Sequence, residues 1–262
     1  MQQVASRALL VALLCLAGCG RGNQPRTPAP LRTEVSGAEL DSLWARAMAK
    51  YTGGHWHDAA TLFERVTLEV PATDTLAIAA HFRLAECYFA QKSQLQAARE
   101  FRRVSDDSPT SHLAPEALLR AGDAYADLWR KPQLDPTYGQ TALSTYQELL
   151  NRYPDAPAAA RARLQIGQLE EFFAIKELRS AEYYFRLKAY DSAILYLKDL
   201  VATYPRSAVT PAALLKLVAA YRIVGYTEDL QETCGYIRRF HPATQGLDQS
   251  CPAAVDSAAA GT

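Results

Sequence analysis

One spacing recurs five times along this 262-residue chain and constrains its fold more than any other feature. A small or aliphatic residue is followed four positions later by an aromatic or apolar one and twelve positions later by a proline. The sets are Ala59, Phe63 and Pro71; Ala97, Phe101 and Pro109; Ala142, Tyr146 and Pro154; Ala193, Leu197 and Pro205; and Leu230, Cys234 and Pro242. Residues four apart share one face of an α-helix, and proline ends the helix because it lacks an N–H and clashes with the turn before it. Each set therefore marks a helix with one buried face and a fixed stop. The clearest case is residues 176–205, where Leu178, Ala181, Tyr184 and Phe185 line one helix face, and Tyr190, Ala193, Ile194, Leu197, Leu200, Val201 and Tyr204 line a second. Asp191, Lys198 and Asp199 fall on the opposite side of that second helix, and the small Ala181 and Ala193 let the two backbones approach closely.

Tyr51, Tyr88, Tyr125, Tyr184 and Tyr221 stand ahead of the five sets, each on the helix that precedes the marked one. Paired helices with a small residue, an aromatic and a terminal proline resemble the tetratricopeptide (TPR) pattern. The units start 38, 45, 51 and 37 residues apart, longer than the ~34 of the minimal repeat, so the extra length belongs to first helices and connectors. A single such unit cannot bury its apolar face alone, so the expected fold is all-α, a TPR-like α-solenoid of five helical hairpins. An apolar content of 49% supplies the core, and few alternating β-branched runs leave little room for a sheet. With 28 basic and 28 acidic residues there is no general basic field, so nucleic acid is not an expected partner.

Residues 1–18 read as a lipoprotein signal peptide: Arg7 precedes an apolar run, residues 8–16, too short to span a membrane. The run ends in Leu16, Ala17, Gly18 and Cys19, which resembles a bacterial lipobox and makes Cys19 the lipidation site. Acyl chains on Cys19 would hold the chain at a bilayer, because each buried methylene contributes ~0.8 kcal/mol. Residue 20 is glycine rather than aspartate, which by the enteric sorting rule favours the outer membrane. Residues 19–37, with Pro25, Pro28 and Pro30, form an expected flexible linker. Residues 38–156 hold repeats 1–3, the first turning at Thr52, Gly53, Gly54 and His55, where two glycines permit positive φ, and the third carrying an inserted connector over residues 126–139. Residues 157–242 hold repeats 4–5 behind one long helix, since after Pro157 Gly167 is the sole weak point before Lys188. Glu182 and Arg186 are spaced as a solvated pair on it. Residues 243–262, rich in Ala, Ser, Gly and Thr, read as a disordered tail.

No catalytic constellation emerges, so the chain is not expected to be an enzyme. His55 and His57 have no cysteine or carboxylate cluster nearby, and no metal site is expected. Glu170, Glu171 and Glu177 fit a solvated helix face better than an acid–base pair. No cofactor is expected beyond the covalent lipid. Cys87 lies on an apolar stripe as a small buried hydrophobe. Cys234 and Cys251 either pair, pinning part of the tail to the last repeat, or remain two free thiols.

The lipobox, the five TPR-like units, the connector around Asp135 and Pro136, and the run from Lys176 to Ile194 together resemble the BamD family of outer-membrane β-barrel assembly lipoproteins. In that run Glu177, Ala181, Tyr183, Tyr184, Lys188 and Tyr190 match, while an arginine the family often carries near Tyr196 is absent. The resemblance implies a non-enzymatic scaffold at the periplasmic face of the outer membrane. Its last two repeats would dock BamA, with Tyr190, Tyr196, Lys198 and Arg238 as docking residues, alongside other barrel-assembly subunits. Its first three would help receive unfolded outer-membrane protein precursors. Counting back along the first helices places Trp44, Met48, Phe82, Glu86, Phe89, Leu119 and Asp123 in a peptide groove, apolar with scattered acid and without Lys or Arg. The alternative is that these residues bury against the tether or a neighbouring helix. A TPR lipoprotein adaptor of pilus or cell-envelope biogenesis is the competing functional reading.

Overall fold

The computed structural model describes residues 36–251. The expected signal peptide, Cys19, nearly all of the linker and the end of the tail lie outside the described residues. Those described are helical, with no strand among them. The helices pair as the spacing requires: α1 (Gly37–Thr52) with α2 (Trp56–Glu69), α3 (Thr75–Ala90) with α4 (Gln94–Asp107), α5 (Ala114–Ala126) with α6 (Thr137–Arg152), the end of α7 (Pro157–Arg186) with α8 (Tyr190–Thr203), and α9 (Thr210–Val224) with α10 (Thr227–Phe240). Each helix also packs on its successor, so a continuous core runs along the array.

Local signals set the helix ends. Ser36 caps α1 through a reciprocal pair of bonds with Glu39, and the Asp74 carboxylate takes the Leu76 N–H at 2.8 Å to open α3. Pro115, Pro157 and Pro211 sit in the first turns of α5, α7 and α9, where a missing N–H costs nothing. Pro71, Pro109, Pro154, Pro205 and Pro242 each stand two residues past the end of a second helix. The anchors ahead of them are buried: Ala59, Ala97, Ala142 and Ala193, with Phe63, Phe101, Tyr146 and Leu197, expose nothing to solvent.

The turn inside a hairpin repeats too. Gly54, Lys92, Lys188 and Gly225 all have φ between 60° and 84°, each two residues before its second helix begins. In the first turn the left-handed angle falls on Gly54 alone, since Gly53 stays right-handed at φ −78°. The third hairpin replaces this turn with its connector, pinned by Trp129. That ring is buried among Phe172, Phe173 and α6, and its Nε1 donates to the Leu134 carbonyl at 3.3 Å. A Cβ on Gly139 would lie 2.1 Å from the indole, so α6 can carry only glycine there.

Helix α7 runs 30 residues without interruption at Gly167 and packs on α5, α6, α8 and α9, tying the two halves together. Glu182 pairs across to Lys216 of α9 at 3.1 Å, so it braces two helices instead of serving as a solvated partner of Arg186. The array also extends past residue 242. Residues 243–251 are ordered, against the expected disordered tail: α11 (Leu247–Ser250) lays Leu247 on Leu214, Val218 and Ile237, and Cys251 is disulfide-bonded to Cys234. Arg222 and Arg238 donate to the carbonyls of Ser250 and Cys251. This segment covers the open apolar end of the solenoid, as a terminal cap must.

Candidate interaction surfaces

Between α1, α3 and the loop joining α4 to α5 lies a groove of about 730 Å³. Trp44 and Met48 project from α1, Ile78, Phe82 and Arg83 from α3, and the loop from Asp107 to Leu113 closes the far side with hydroxyls and His112. The aromatic walls are held edge-on by the core beneath, Trp44 against Phe63 and Phe82 against Phe101, both with centroids 5.4 Å apart. Arg83 sits where α1 meets α3: its Nη1 donates to Glu86 at 2.7 Å, and its guanidinium lies 5.2 Å from the Tyr51 ring centre and 5.9 Å from that of Phe82. The Tyr51 hydroxyl donates to Glu86 as well, at 2.9 Å; burial first, and then the Glu86 bond, raise its pKa.

At the other end of the array, large apolar side chains of repeats 4 and 5 stand in solvent. Tyr183 is 52% exposed, Leu187 59%, Leu195 69%, Ile223 53% and Tyr226 47%. The Tyr226 hydroxyl donates to Asp191 at 3.3 Å, which ties the start of α10 to the start of α8. Within the α7–α8 hairpin Tyr184 stacks nearly parallel on Tyr196 at 5.2 Å, and Phe185 meets Tyr190 edge-on at 5.3 Å. Exposed large apolar side chains are the raw material of a protein-docking surface.

Residues 38–234 match the family model for YfiO, an outer membrane lipoprotein. The chain belongs to the YfiO family. The match begins in α1 and ends in α10, so the family extends through all five hairpins. The chain is similar to the outer membrane protein assembly factor BamD of Xylella fastidiosa strain 9a5c, 24% identical over 263 residues, covering 94% of this chain and 86% of that one. It is also similar to BamD of Vibrio cholerae, 30% identical over 99 residues, a stretch that takes in 38% of this chain and 41% of the relative. Among solved structures it is similar to the TPR domain of P58(IPK), with a TM-score of 0.44 and 18% identity, covering 81% of this chain and 54% of that one.

In this YfiO-family chain the expected groove residues divide. Trp44, Met48 and Phe82 do line one groove. The other four are corrected by their neighbours. Glu86 is occupied by Tyr51 and Arg83; Phe89 lies under the Arg120 guanidinium at 4.5 Å; Leu119 is 2% exposed in the core of α5, α6 and α7; and Asp123 accepts the Tyr146 hydroxyl at 2.8 Å, burial pushing its carboxyl above the ordinary range. Helical spacing along one row of α3 does not reach Arg83 or the α4–α5 loop, because the groove spans two rows of α3 and a loop distant in sequence. The expected docking residues fall in three settings. Tyr190 and Tyr196 belong to the aromatic layer of the α7–α8 hairpin, Lys198 stands exposed on α8, and Arg238 holds the terminal cap. Burial pushes the Cys87 thiol up to about 12, as suits a small core hydrophobe. Among the described residues no cluster of His, Cys, Asp or Glu is placed to hold a metal ion, and no helix is long and apolar enough to cross a membrane.

Proposed function

We propose that this chain is a non-enzymatic scaffold of outer-membrane protein assembly, anchored by lipid on Cys19 at the periplasmic face of the outer membrane. Its C-terminal hairpins dock the barrel subunit BamA, and its N-terminal groove receives unfolded outer-membrane protein precursors. The observation that carries this reading is the aromatic-walled groove on repeats 1–2, set on one array with the exposed apolar side chains of repeats 4–5 and joined to them through the unbroken α7. The groove of about 730 Å³ has room for several side chains, and Trp44 and Phe82 offer walls to the aromatic side chains of an extended strand. The relatives named as assembly factors support the same reading.

Two measurements test it. A photocrosslinker at Trp44 is expected to label a synthetic peptide copied from the last strand of an outer-membrane barrel and to spare its scrambled version; equal labelling would remove the groove from the mechanism. BamA is expected to be the dominant partner co-purified from detergent-solubilised membranes. Leu195→Glu should abolish that co-purification while leaving stability within ~0.5 kcal/mol, because the side chain is exposed. Undiminished recovery of BamA with the variant would remove the α8 face from the docking surface.

A further inference from the structure

A cleft of about 270 Å³ opens between α8 and α10, with α9 as its floor. Leu214, Leu217 and Tyr221 form that floor and Val201 lines the α8 wall, so its base is continuous with the core. The rim is charged. Asp229 and Glu232 stand on α10, with Tyr236 one turn beyond Glu232, and Lys198 lies on the α8 side. Burial pushes the Tyr221 phenol above its usual value and the Asp229 and Glu232 carboxylates push it further, so both acids bear on the floor. Among the described residues neither acid is in an ion pair.

We propose that this cleft grips an amphipathic partner segment carrying one large aliphatic or aromatic side chain, which enters the floor, and a Lys or Arg beside it, which meets Asp229 and Glu232. The inference rests on the reading that the C-terminal hairpins are the docking half, and it states what they hold. Size argues for a side chain, since the cleft falls below the ~300 Å³ at which small-molecule sites begin. Charge selects the occupant. Two carboxylates against one ammonium leave the rim acidic, which disfavours anionic lipid and acidic peptide alike. A second copy of this chain offering its exposed Leu195 would bring Asp191 and Asp199 against the single cation Lys198, so its net charge there is of the same sign as the rim. A basic–apolar segment gains at both levels: its side chain covers the floor, and its cation gives the two unpaired carboxylates a partner.

The test uses the full lipidated chain in nanodiscs of neutral phosphatidylcholine and two fluorescein-labelled helical peptides. Both carry Leu and Phe along one face; one is flanked by Lys and its twin by Glu. Fluorescence anisotropy is expected to give the Lys peptide an affinity at least ~10-fold tighter than its twin, and the ratio should fall to ~2-fold or less in the Asp229→Asn/Glu232→Gln variant. That variant changes rim side chains alone, and an unaltered melting curve will show that it folds. Equal affinity of the twins, binding of neither, or an undiminished ratio in the double variant would each overturn the proposal. Self-association of the chain that excludes the Lys peptide would overturn it too, by giving the cleft to a second copy. Failure here with BamA still co-purifying removes this cleft and leaves the docking half standing; loss of co-purification with charge-specific binding intact does the reverse.

Discussion

The Trp129 indole lies on the Phe173 ring with centroids 4.6 Å apart and planes tilted by 34°, which joins the connector of the third hairpin to the middle of α7. The same ring also fills the space where Gly139 lacks a side chain. The third hairpin and the long helix are thereby fixed to each other through one buried ring. Trp129→Ala is expected to cost ~3–5 kcal/mol through lost burial and the cavity left behind. Gly139→Ala should cost ~1–3 kcal/mol by overpacking. The two should be far from additive, because the new methyl group at 139 enters space the indole has vacated. Urea unfolding of both single variants and the double variant measures the coupling, and strict additivity would refute this packing.

The disulfide between Cys234 and Cys251 closes a separation of 17 residues and holds the cap over Leu214, Val218 and Ile237. Constraining a loop of this length is worth ~3 kcal/mol in the chain-entropy account. Reducing the wild-type protein or introducing Cys251→Ser should lower the melting temperature by the same amount, and reductant should have no further effect on the variant. A reductant-insensitive melting curve for the wild-type chain would contradict the bond's stabilising role.

The hairpins were legible because their signals are local: a four-residue apolar period, proline stops and close-packing alanines act within one helix pair. The long α7 was legible for the same reason, as no proline interrupts it. What escaped depends on distant partners. Trp129 meets Phe173, 44 residues away, and needs the absent side chain of Gly139 as well. Leu119 and Asp123 share the periodicity of Trp44 and Phe82, yet α6 and α7 cover the one and Tyr146 binds the other. The cap has no apolar period, and one of its ties is a covalent bond between cysteines that are equally consistent, in sequence, with free thiols.

Two helical glycines should respond to alanine with opposite sign. A Cβ on Gly167 of α7 would meet nothing within 4 Å, whereas one on Gly122 of α5 would lie 2.3 Å from the Tyr146 ring. Gly167→Ala should therefore stabilise the protein by ~0.5–1 kcal/mol through helix propensity and lost chain entropy. Gly122→Ala should destabilise it by ~1–3 kcal/mol through overpacking. Thermal melts of the two variants decide the matter, and stabilisation by Gly122→Ala as well would mean that the α5–α6 contact is looser than described.

The buried pair of His81 and Glu100 joins α3 to α4 at 2.9 Å and makes stability depend on pH. Burial alone would raise the Glu100 carboxyl, but the His81 hydrogen bond and charge, aided by Arg103 and Arg99, hold it below the ordinary range. A carboxyl depressed on folding adds stability above its unfolded pKa of ~4.3, and that stability is lost as pH falls through the lower folded value. Asp123 works the other way. Burial raises its folded pKa despite the Tyr146 bond, so the folded state holds that proton more tightly, and this contribution falls away as pH rises through the raised value. Urea unfolding between about pH 3 and 7 should show the wild type losing stability more steeply on acidification than Glu100→Gln, with the difference concentrated below ~4.3. Asp123→Asn should lose stability more steeply than the wild type in the acid range, because it lacks the compensating proton uptake. Parallel curves for all three proteins would mean that neither carboxyl changes its proton affinity on folding.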